Sequence, residues 1–291
     1  MTESLSTVWV NGERLPFDAV HVSARDRGLT LADGLFETMR ASRGIVFRVE
    51  RHLARLRNGL DQLQIPVPPE LPDWLRAAVR AADLPEAAVR MTVTRGVGPT
   101  GVIPPEDVQP TVVIAINPMP VFASSIYDAG LRARVASGRR NEYSMTAGLK
   151  TIAYIDNIAA LLEARRHGAD EALFLDVEAH CCEATASNLF MKRDDRLVTP
   201  PLSCGALPGI TRAAILELAG SAGIQVAECP FTLNDLMQAD EAFLTSALRG
   251  IAPLVAIDGK ALGDGVPGST TRQLAAAYAQ LVAKERQSVN P

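Results

Sequence analysis

Two hydrophobic rhythms run through the chain, a period of two and a period near 3.6. Over "STVWVNGERLPF" two short apolar runs flank Asn11-Gly12, a turn dipeptide that predicts a β-hairpin. "GLFETMRASRGIVFRV" predicts a second pair of strands, broken at Ser42-Arg43-Gly44. From Glu50 onward, Leu53, Leu56, Leu60 and Leu63 recur at intervals of three and four, the mark of an amphipathic helix. "LPDWLRAAVRAADL" predicts another helix, and "AAVRMTVTRG" and "PTVVIAINP" predict two more strands. Residues 1–117 therefore read as a small α+β lobe. "PMPVFASSIYDAG" has two prolines and little periodicity, so 118–127 reads as a linker.

Residues 128–291 read as a larger, strand-rich lobe. Strands are expected near 131–137, over "EALFLD", through "HCCEA" after a turn at Val177–Ala179, and over "EAFLTS" and "LVAID". "NLFMKR" and "RLVTP" predict a hairpin around Asp194-Asp195. Helices are expected from about Ile155 to His167, over "LPGITRAAILELAGSAG", and over "TTRQLAAAYAQLVAKE". No repeat is visible. The fold class is α+β with two domains.

Composition supports that size and narrows the function. At 291 residues and 47% hydrophobic, the chain exceeds the usual single-core range, so two lobes or one large α/β domain is expected. Mean hydropathy is +0.09 and the pI is near 5.7. With 29 Lys and Arg against 33 Asp and Glu, the net charge of −4 lacks the basic footprint of a nucleic-acid binder. The basic run "RVERHLARLR" is local and helical in pattern, which predicts a solvated face. No apolar run is long enough to span a membrane, and the first residues lack a basic-then-apolar leader, so no secretory signal is expected. Cys181, Cys182, Cys204 and Cys229 lack the paired spacing of a zinc site, and Cys181 and Cys182 would point to opposite faces of a strand. No metal is expected, and the thiols are expected reduced in a cytoplasmic enzyme.

Four features could carry chemistry. Lys150, in "AGLKTIAYIDNIAALLEA", is either a snorkelling lysine ahead of a helix or an amine in a partly desolvated pocket. The second kind forms Schiff bases with carbonyl compounds. "GITR" at 209–212 opens a helix, where free N–H groups and the Thr211 hydroxyl make either an anion site or an ordinary helix start. "LTSALRG" at 244–250 ends a strand in small residues that would let backbone amides approach a ligand, or simply exits to a turn. Glu183, in "HCCEATASNLF", is a solvated carboxylate or the ion-pair partner of a cationic ring nitrogen. Glu171 and Asp176 are expected to face water or cap turns.

The blocks "DRGLTLADGLFETMRA", "RHLARL", "GLKTIAYIDN", "EARRHGADEALFLD", "EATASNLF", "LPGITR" and "LTSALRGIAPL" run in order through nearly the whole chain. In that order the sequence resembles the class IV pyridoxal-phosphate aminotransferases of fold type IV. That family holds branched-chain and D-amino-acid aminotransferases, (R)-selective amine transaminases and aminodeoxychorismate lyases. The resemblance implies a small α/β N-terminal lobe, a larger strand-rich lobe and pyridoxal 5′-phosphate as cofactor. It implies a Schiff base at Lys150 and a pairing of Glu183 with the pyridinium nitrogen that keeps the ring an electron sink. Tyr154 resembles the tyrosine that meets the cofactor's phenolic oxygen, and Arg55 the arginine whose planar fork binds its phosphate. Ile210 and Thr211 would bind phosphate at a helix N-terminus. Ser246 and Ala247 would bind it from a loop, Ala247 through its backbone alone.

The implied reaction moves an amino group from an amino acid or primary amine to a 2-oxo acid, in a homodimer that binds neither nucleic acid nor membrane. The alternative is aminodeoxychorismate lyase, which releases pyruvate and 4-aminobenzoate. Thr38 and "SALRGIAP" resemble the lyases, whereas Ser246 replaces their loop asparagine, and Tyr154 with Asn157 resembles aminotransferases. "TRG" at 94–96 is shared by lyases and D-amino-acid enzymes. The D-enzymes' arginine and histidine are missing from "VGPTGV", and Leu29 stands where they carry a tyrosine, which points away from that specificity. Phe36, Thr38, Arg40, Arg90 and Arg95 are the candidates to face substrate, and an arginine among them that enters the pocket would meet a carboxylate.

Overall fold

The structure, a computed structural model, describes residues 6–19, 21–99 and 101–288. The expectation about a leader rests partly on residues 1–5, which lie outside the described residues. The chain forms two compact units. The first comprises Met1–Pro120, Leu149–Ala153 and Lys284–Pro291, and the second Val121–Gly148 and Tyr154–Ala283.

In the first unit the elements are β1 (Thr7–Val10), β2 (Glu13–Leu15), α1 (Arg27–Leu31), β3 (Gly34–Ser42), β4 (Ile45–Val46), α2 (Val49–Gln62), α3 (Leu71–Ala81), β5 (Glu86–Thr94) and β6 (Thr111–Pro118). The strands make one antiparallel sheet in the order β2-β1-β6-β5-β3-β4. Register sets Leu35 beside Val93, Met39 beside Val89, and Met91 beside Ile114. These side chains share one face, because side chains alternate along a strand. That face is covered by Leu53, Leu56 and Leu60 of α2 and by Leu71, Leu75 and Ala78 of α3. The opposite face carries Phe36, Thr38 and Arg40. Leu149–Ala153 returns to this unit beside β3, with Phe36 N–H donating to Lys150 O at 2.9 Å and Ile152 N–H to Gly34 O at 3.1 Å.

A buried ion cluster closes the start of β3. Asp33 Oδ2 accepts from Arg27 Nε at 2.9 Å and from Arg95 Nε at 2.7 Å. Arg95 also donates to the carbonyls of Gln64 and Leu63, at 2.9 and 2.8 Å. Arg27 donates to Gly101 O and Val102 O at 2.8 and 3.1 Å. Burial would raise the Asp33 pKa, but the hydrogen bonds and charges of Arg95 and Arg27 outweigh it and the net shift is downward.

The second unit contains α4 (Ser125–Asp128), β7 (Leu131–Arg140), α5 (Ile155–Arg166), β8 (Glu171–Asp176), β9 (Cys181–Ala184), β10 (Asn188–Arg193) and β11 (Arg196–Thr199). It continues with α6 (Ile210–Ser221), β12 (Gln225–Glu228), α7 (Leu233–Met237), β13 (Glu241–Ser246), β14 (Gly250–Ile257) and β15 (Lys260–Ala261). The last helix, α8, runs Ser269–Ser288. The sheet order is β12-β11-β10-β13-β14-β7-β8-β9, with β15 beside β14. β9 also pairs with β10, so the path from β10 through β13, β14, β7, β8 and β9 closes on itself like a barrel. The closing pair is Asn188 and Glu183. Leu173, Leu189, Leu244, Ala252 and Leu254 fill the core of this unit. Among the described residues no helix is long and apolar enough to cross a membrane.

Four expectations change. The predicted linker runs into α4, which ends one residue past it at Asp128, and the strand expected at 131–137 extends to Arg140 through a register shift between Val135 and Arg139. α1 and α7 are too short for a periodicity to announce. The division by sequence also does not anticipate that Leu149–Ala153 returns to the first unit. Glu171 does not face water: it is buried, accepting from Thr185 Oγ1 and from Ala172 N–H. Asp176 does cap a turn, accepting from His180 N–H at 2.7 Å.

Removing the shared carboxylate leaves two guanidinium groups buried without their counter-charge. Asp33→Ala is expected to lower the unfolding free energy of the first unit by about 3–5 kcal/mol, to be read by urea titration against Asp73→Ala, whose ion pair is exposed.

Candidate active site

On the face of the first unit's sheet away from α2, register brings Phe36 beside Thr92, Thr38 beside Arg90, and Arg40 beside Ala88. Lys150 lies on the segment hydrogen-bonded to this edge of β3. Its Nζ is 4.4 Å from the centroid of the Phe36 ring, and Arg90 Cζ is 3.8 Å from the same centroid. A buried aromatic ring thus gathers a half-buried amine and an exposed guanidinium, each attracted to its electron-rich face. Phe36, Thr38, Arg90 and Lys150 are brought together. Arg40 and Arg95 are not part of that group. Arg40 donates to Glu86 Oε2 from Nε and Nη2 at 3.2 and 3.1 Å, and Arg95 is engaged by Asp33 and two carbonyls.

Arg55 lies on the other side of β3, against the core-facing Glu37. Its Nε donates to Glu37 Oε1 at 2.7 Å and its Nη2 to Oε2 at 2.6 Å. His52 Nδ1 meets the same Oε2 at 2.7 Å. The run read as a solvated helical face therefore turns two of its basic residues inward, because a carboxylate waits for them. Burial alone would raise the Glu37 pKa, but hydrogen bonds from His52 and Arg55 outweigh it, and the carboxyl is held below its ordinary range. Burial pushes the His52 pKa down, with Arg55 and Lys150 adding to it against the pull of Glu37. The neutral ring then donates from Nδ1, since a carboxylate can only accept.

In the second unit Glu183 occupies the closing pair of the sheet. Its Oε2 accepts from Leu207 N–H at 2.9 Å and its Oε1 lies 3.1 Å from Arg140 Nη2. Arg140 stacks over Phe174, with Cζ 4.4 Å from the ring centroid. Asn188 Nδ2 donates to Leu207 O at 2.8 Å, so Glu183 and Asn188 clasp one residue's N–H and C=O. That clasp delivers the chain into α6. A Cβ on Gly209 would collide with Asn188 Oδ1, so a larger residue there would have to displace the Asn188 side chain from its bond to Leu207 O.

The first turn of α6 begins with Ile210 and Thr211, both buried, and Gly209 supplies no side-chain cap. The contrast is α8, where Glu241 accepts from the N–H groups of Thr270 and Thr271 at 3.0 and 2.8 Å and so covers the helix start. Thr211 Oγ1 is 3.4 Å from the hydroxyl of Tyr278. Tyr154 is the N-cap residue of α5 and is half-buried. One turn on, buried Asn157 donates to Thr185 O. Ser246 and Ala247 lie where β13 turns toward β14, with Ser246 opposite Gly250.

Residues 34–257 match the family described as "Amino-transferase class IV". The chain belongs to that family. Within it, the chain is 35% identical over 271 residues to the putative branched-chain-amino-acid aminotransferase of Methanocaldococcus jannaschii, covering 92% of this chain and 93% of that one. Among solved structures, a branched-chain amino acid aminotransferase with pyridoxamine 5′-phosphate, from the source abbreviated T.th., has a TM-score of 0.89 at 27% identity, covering 97% of this chain and 96% of that one. The 4-amino-4-deoxychorismate lyase of Pseudomonas aeruginosa has a TM-score of 0.85 at 34% identity, covering 94% and 98%. This class IV aminotransferase therefore has the two-part α+β architecture of fold type IV, and it is a transaminase by family.

Four residues of the site escaped sequence reasoning. Glu37 and Asn188 sit inside recognised blocks, and His52 and Arg140 inside basic runs. Glu37 alone carried a signal, as a charged residue at an odd position of β3, where its neighbours two residues away are Leu35 and Met39.

The two depressed pKa values have one consequence. Glu37 stabilises the fold fully above its unfolded value of 4.5 and loses that contribution as pH falls through its lower folded value. The fold also resists protonation of His52, so stability falls once pH drops below 6.5 and levels off beyond the folded value. Melting temperature is expected to decline on acidification from about pH 7, and His52→Asn to remove the upper part of that decline in parallel thermal scans.

Proposed function

We propose that this class IV aminotransferase uses pyridoxal 5′-phosphate and moves an amino group from an amino acid or primary amine to a 2-oxo acid. The observation that carries the reading is Lys150, a half-buried amine over Phe36 with Arg90 at the same ring. The donor set fits the cofactor. The cationic group of Arg55, the uncapped turn at Ile210 and Thr211, and the Ser246 hydroxyl with the Ala247 amide are each of a kind that suits a phosphate. Glu183, held by Arg140 and Leu207 N–H, is a fixed carboxylate suited to a protonated ring nitrogen. The similar branched-chain enzyme described above holds the amine form of the same cofactor.

When bound, the cofactor's pyridine ring accepts the electron pair left at the substrate's α-carbon. Lys150 would hold the cofactor through its Nζ and, once its amine is free, would serve as the general base for the substrate's α-carbon proton. Glu183 would hold a proton at the ring nitrogen. Tyr154 would donate to the cofactor's phenolic oxygen, and Arg55, Ile210, Thr211, Ser246 and Ala247 would be the residues to hold its phosphate. Arg90, beside Thr38, receives the carboxylate of an amino-acid or oxo-acid substrate.

A second reading, aminodeoxychorismate lyase, is favoured by one observation. Thr38 shares the face of Phe36 and lies across from Arg90. The P. aeruginosa lyase is also similar over nearly the whole chain.

The assembly is proposed as a homodimer. α5 buries Asn157, Ala160 and Ala164 on one side, yet Ile155, Ile158 and Leu162 on the opposite side are 71%, 51% and 53% exposed. An apolar stripe of that kind on a helix fits a second copy of the chain. The four cysteines form no disulfide, which suits the reducing cytoplasm.

Two measurements test these readings. Purified protein with pyridoxal 5′-phosphate is expected to form amino product from pyruvate or 2-oxoglutarate with an amine donor, and Lys150→Ala to lose at least about a thousandfold in rate. Pyruvate release from aminodeoxychorismate with no acceptor present would establish the lyase reading instead. For assembly, the wild type is expected to sediment as a dimer and Ile158→Asp with Leu162→Asp as a monomer.

A further inference from the structure

Alternation along β3 sends Leu35, Met39 and Ala41 into the core between sheet and α2, and Glu37 goes with them. A carboxylate costs heavily in such a place unless it is neutralised and its oxygens are hydrogen-bonded. Both conditions are met by one helix. His52 and Arg55 lie three residues apart on α2 and so project from the same side. Arg55 takes both carboxylate oxygens through Nε and Nη2, at 2.7 and 2.6 Å, and His52 Nδ1 holds Oε2 at 2.7 Å. Glu37 and His52 are each 1% exposed, so little water competes for these bonds.

A two-pronged bond fixes more than distance. It fixes the plane and the roll of the guanidinium, which an arginine on a solvated helix would leave free. Side-chain freedom removed before binding need not be lost on binding, and affinity gains accordingly. Without Glu37 the group would also have no reason to stay against the sheet. Attraction to an anion works the other way, because Glu37 offsets part of the arginine's charge. What the geometry shows is the fork itself, Nε and Nη2 each on its own carboxylate oxygen, which fixes the direction of the guanidinium.

We propose that Glu37 and His52 are positioning residues that hold the Arg55 guanidinium in a preset orientation for the phosphate of the cofactor. Glu37 sets the fork directly. His52 acts through Glu37, donating to Oε2 and keeping the carboxylate from turning. Neither touches the phosphate. The inference rests on the reading of Arg55 as a phosphate ligand, and the test separates the two.

Full-length protein is stripped of cofactor and titrated with pyridoxal 5′-phosphate and with pyridoxal, which lacks the phosphate. The readout is the ratio of the two affinities, which a general loss of structure does not move. Arg55→Gln is expected to lower that ratio sharply. Glu37→Gln is expected to lower it by about tenfold to a hundredfold, by analogy with the loss when a partner that orients a metal ligand is removed. Adding Arg55→Gln to Glu37→Gln is expected to lower it little further. His52→Leu should lower the ratio and His52→Asn, which keeps a donor, should restore it. That pair decides the matter if Glu37→Gln does not fold. A ratio unchanged or raised in Glu37→Gln and His52→Leu, with Arg55→Gln still lowering it, overturns the positioning role and leaves Arg55 as a ligand. A ratio unchanged in Arg55→Gln overturns the ligand reading and the inference with it.

Discussion

The two-residue alternation of β3 is the constraint on which the first unit depends. One strand must supply a hydrophobic wall to α2 and α3 through its odd positions and a chemical face through its even ones. The wall is ordinary, made of Leu35, Met39 and Ala41. The opposite face is a row of Phe36, Thr38 and Arg40, with the Lys150 segment bonded to the strand edge beside it. A one-residue slip would exchange the two faces, so register is specified strongly by burial. Glu37 is the one charge on the wrong side of that division, and it is tolerated because α2 answers it with Arg55 and His52.

The second unit meets a comparable demand by closure. A sheet that returns to itself leaves no open edge where β9 meets β10, and the residues at the seam are Glu183 and Asn188. Their side chains then bind the N–H and C=O of Leu207, so the seam of the sheet also places the start of α6. One local arrangement thus settles the position of a carboxylate and the direction of a helix N-terminus. Gly209 records how tight that arrangement is, since a Cβ there would push against Asn188 Oδ1.

Charge is distributed through the molecule by a consistent rule. Buried carboxylates accept from several donors: Asp33 from two arginines, Glu37 from an arginine and a histidine, Glu241 from the start of α8. In each case the hydrogen bonds outweigh burial and the net shift favours the ionised form. Arginines follow the same rule in reverse. Arg95 and Arg40 have their acceptors in Asp33 and Glu86, and Arg90 lies over the ring of Phe36.

The chain's own letters determined the long elements and the family. Leucines at three- and four-residue spacing announced α2, Asn11-Gly12 announced the first hairpin, and ordered blocks from "DRGLTLADGLFETMRA" to "LTSALRGIAPL" identified a class IV aminotransferase with Lys150 and Glu183 as its chief candidates. Those signals are local, or are strings long enough to match as strings. Short elements such as α1, α4 and α7 stayed hidden because a single turn has no periodicity to read. The partners of each charge stayed hidden for a different reason. Arg40, Arg55, Arg90 and Arg95 are equivalent as letters, and only tertiary structure decides which one meets Glu86, which Glu37, which Asp33 and which an aromatic ring. The Coulomb and hydrogen-bond energies that settle those choices depend on distances of a few ångström between residues tens of positions apart, and no spacing along the chain encodes them.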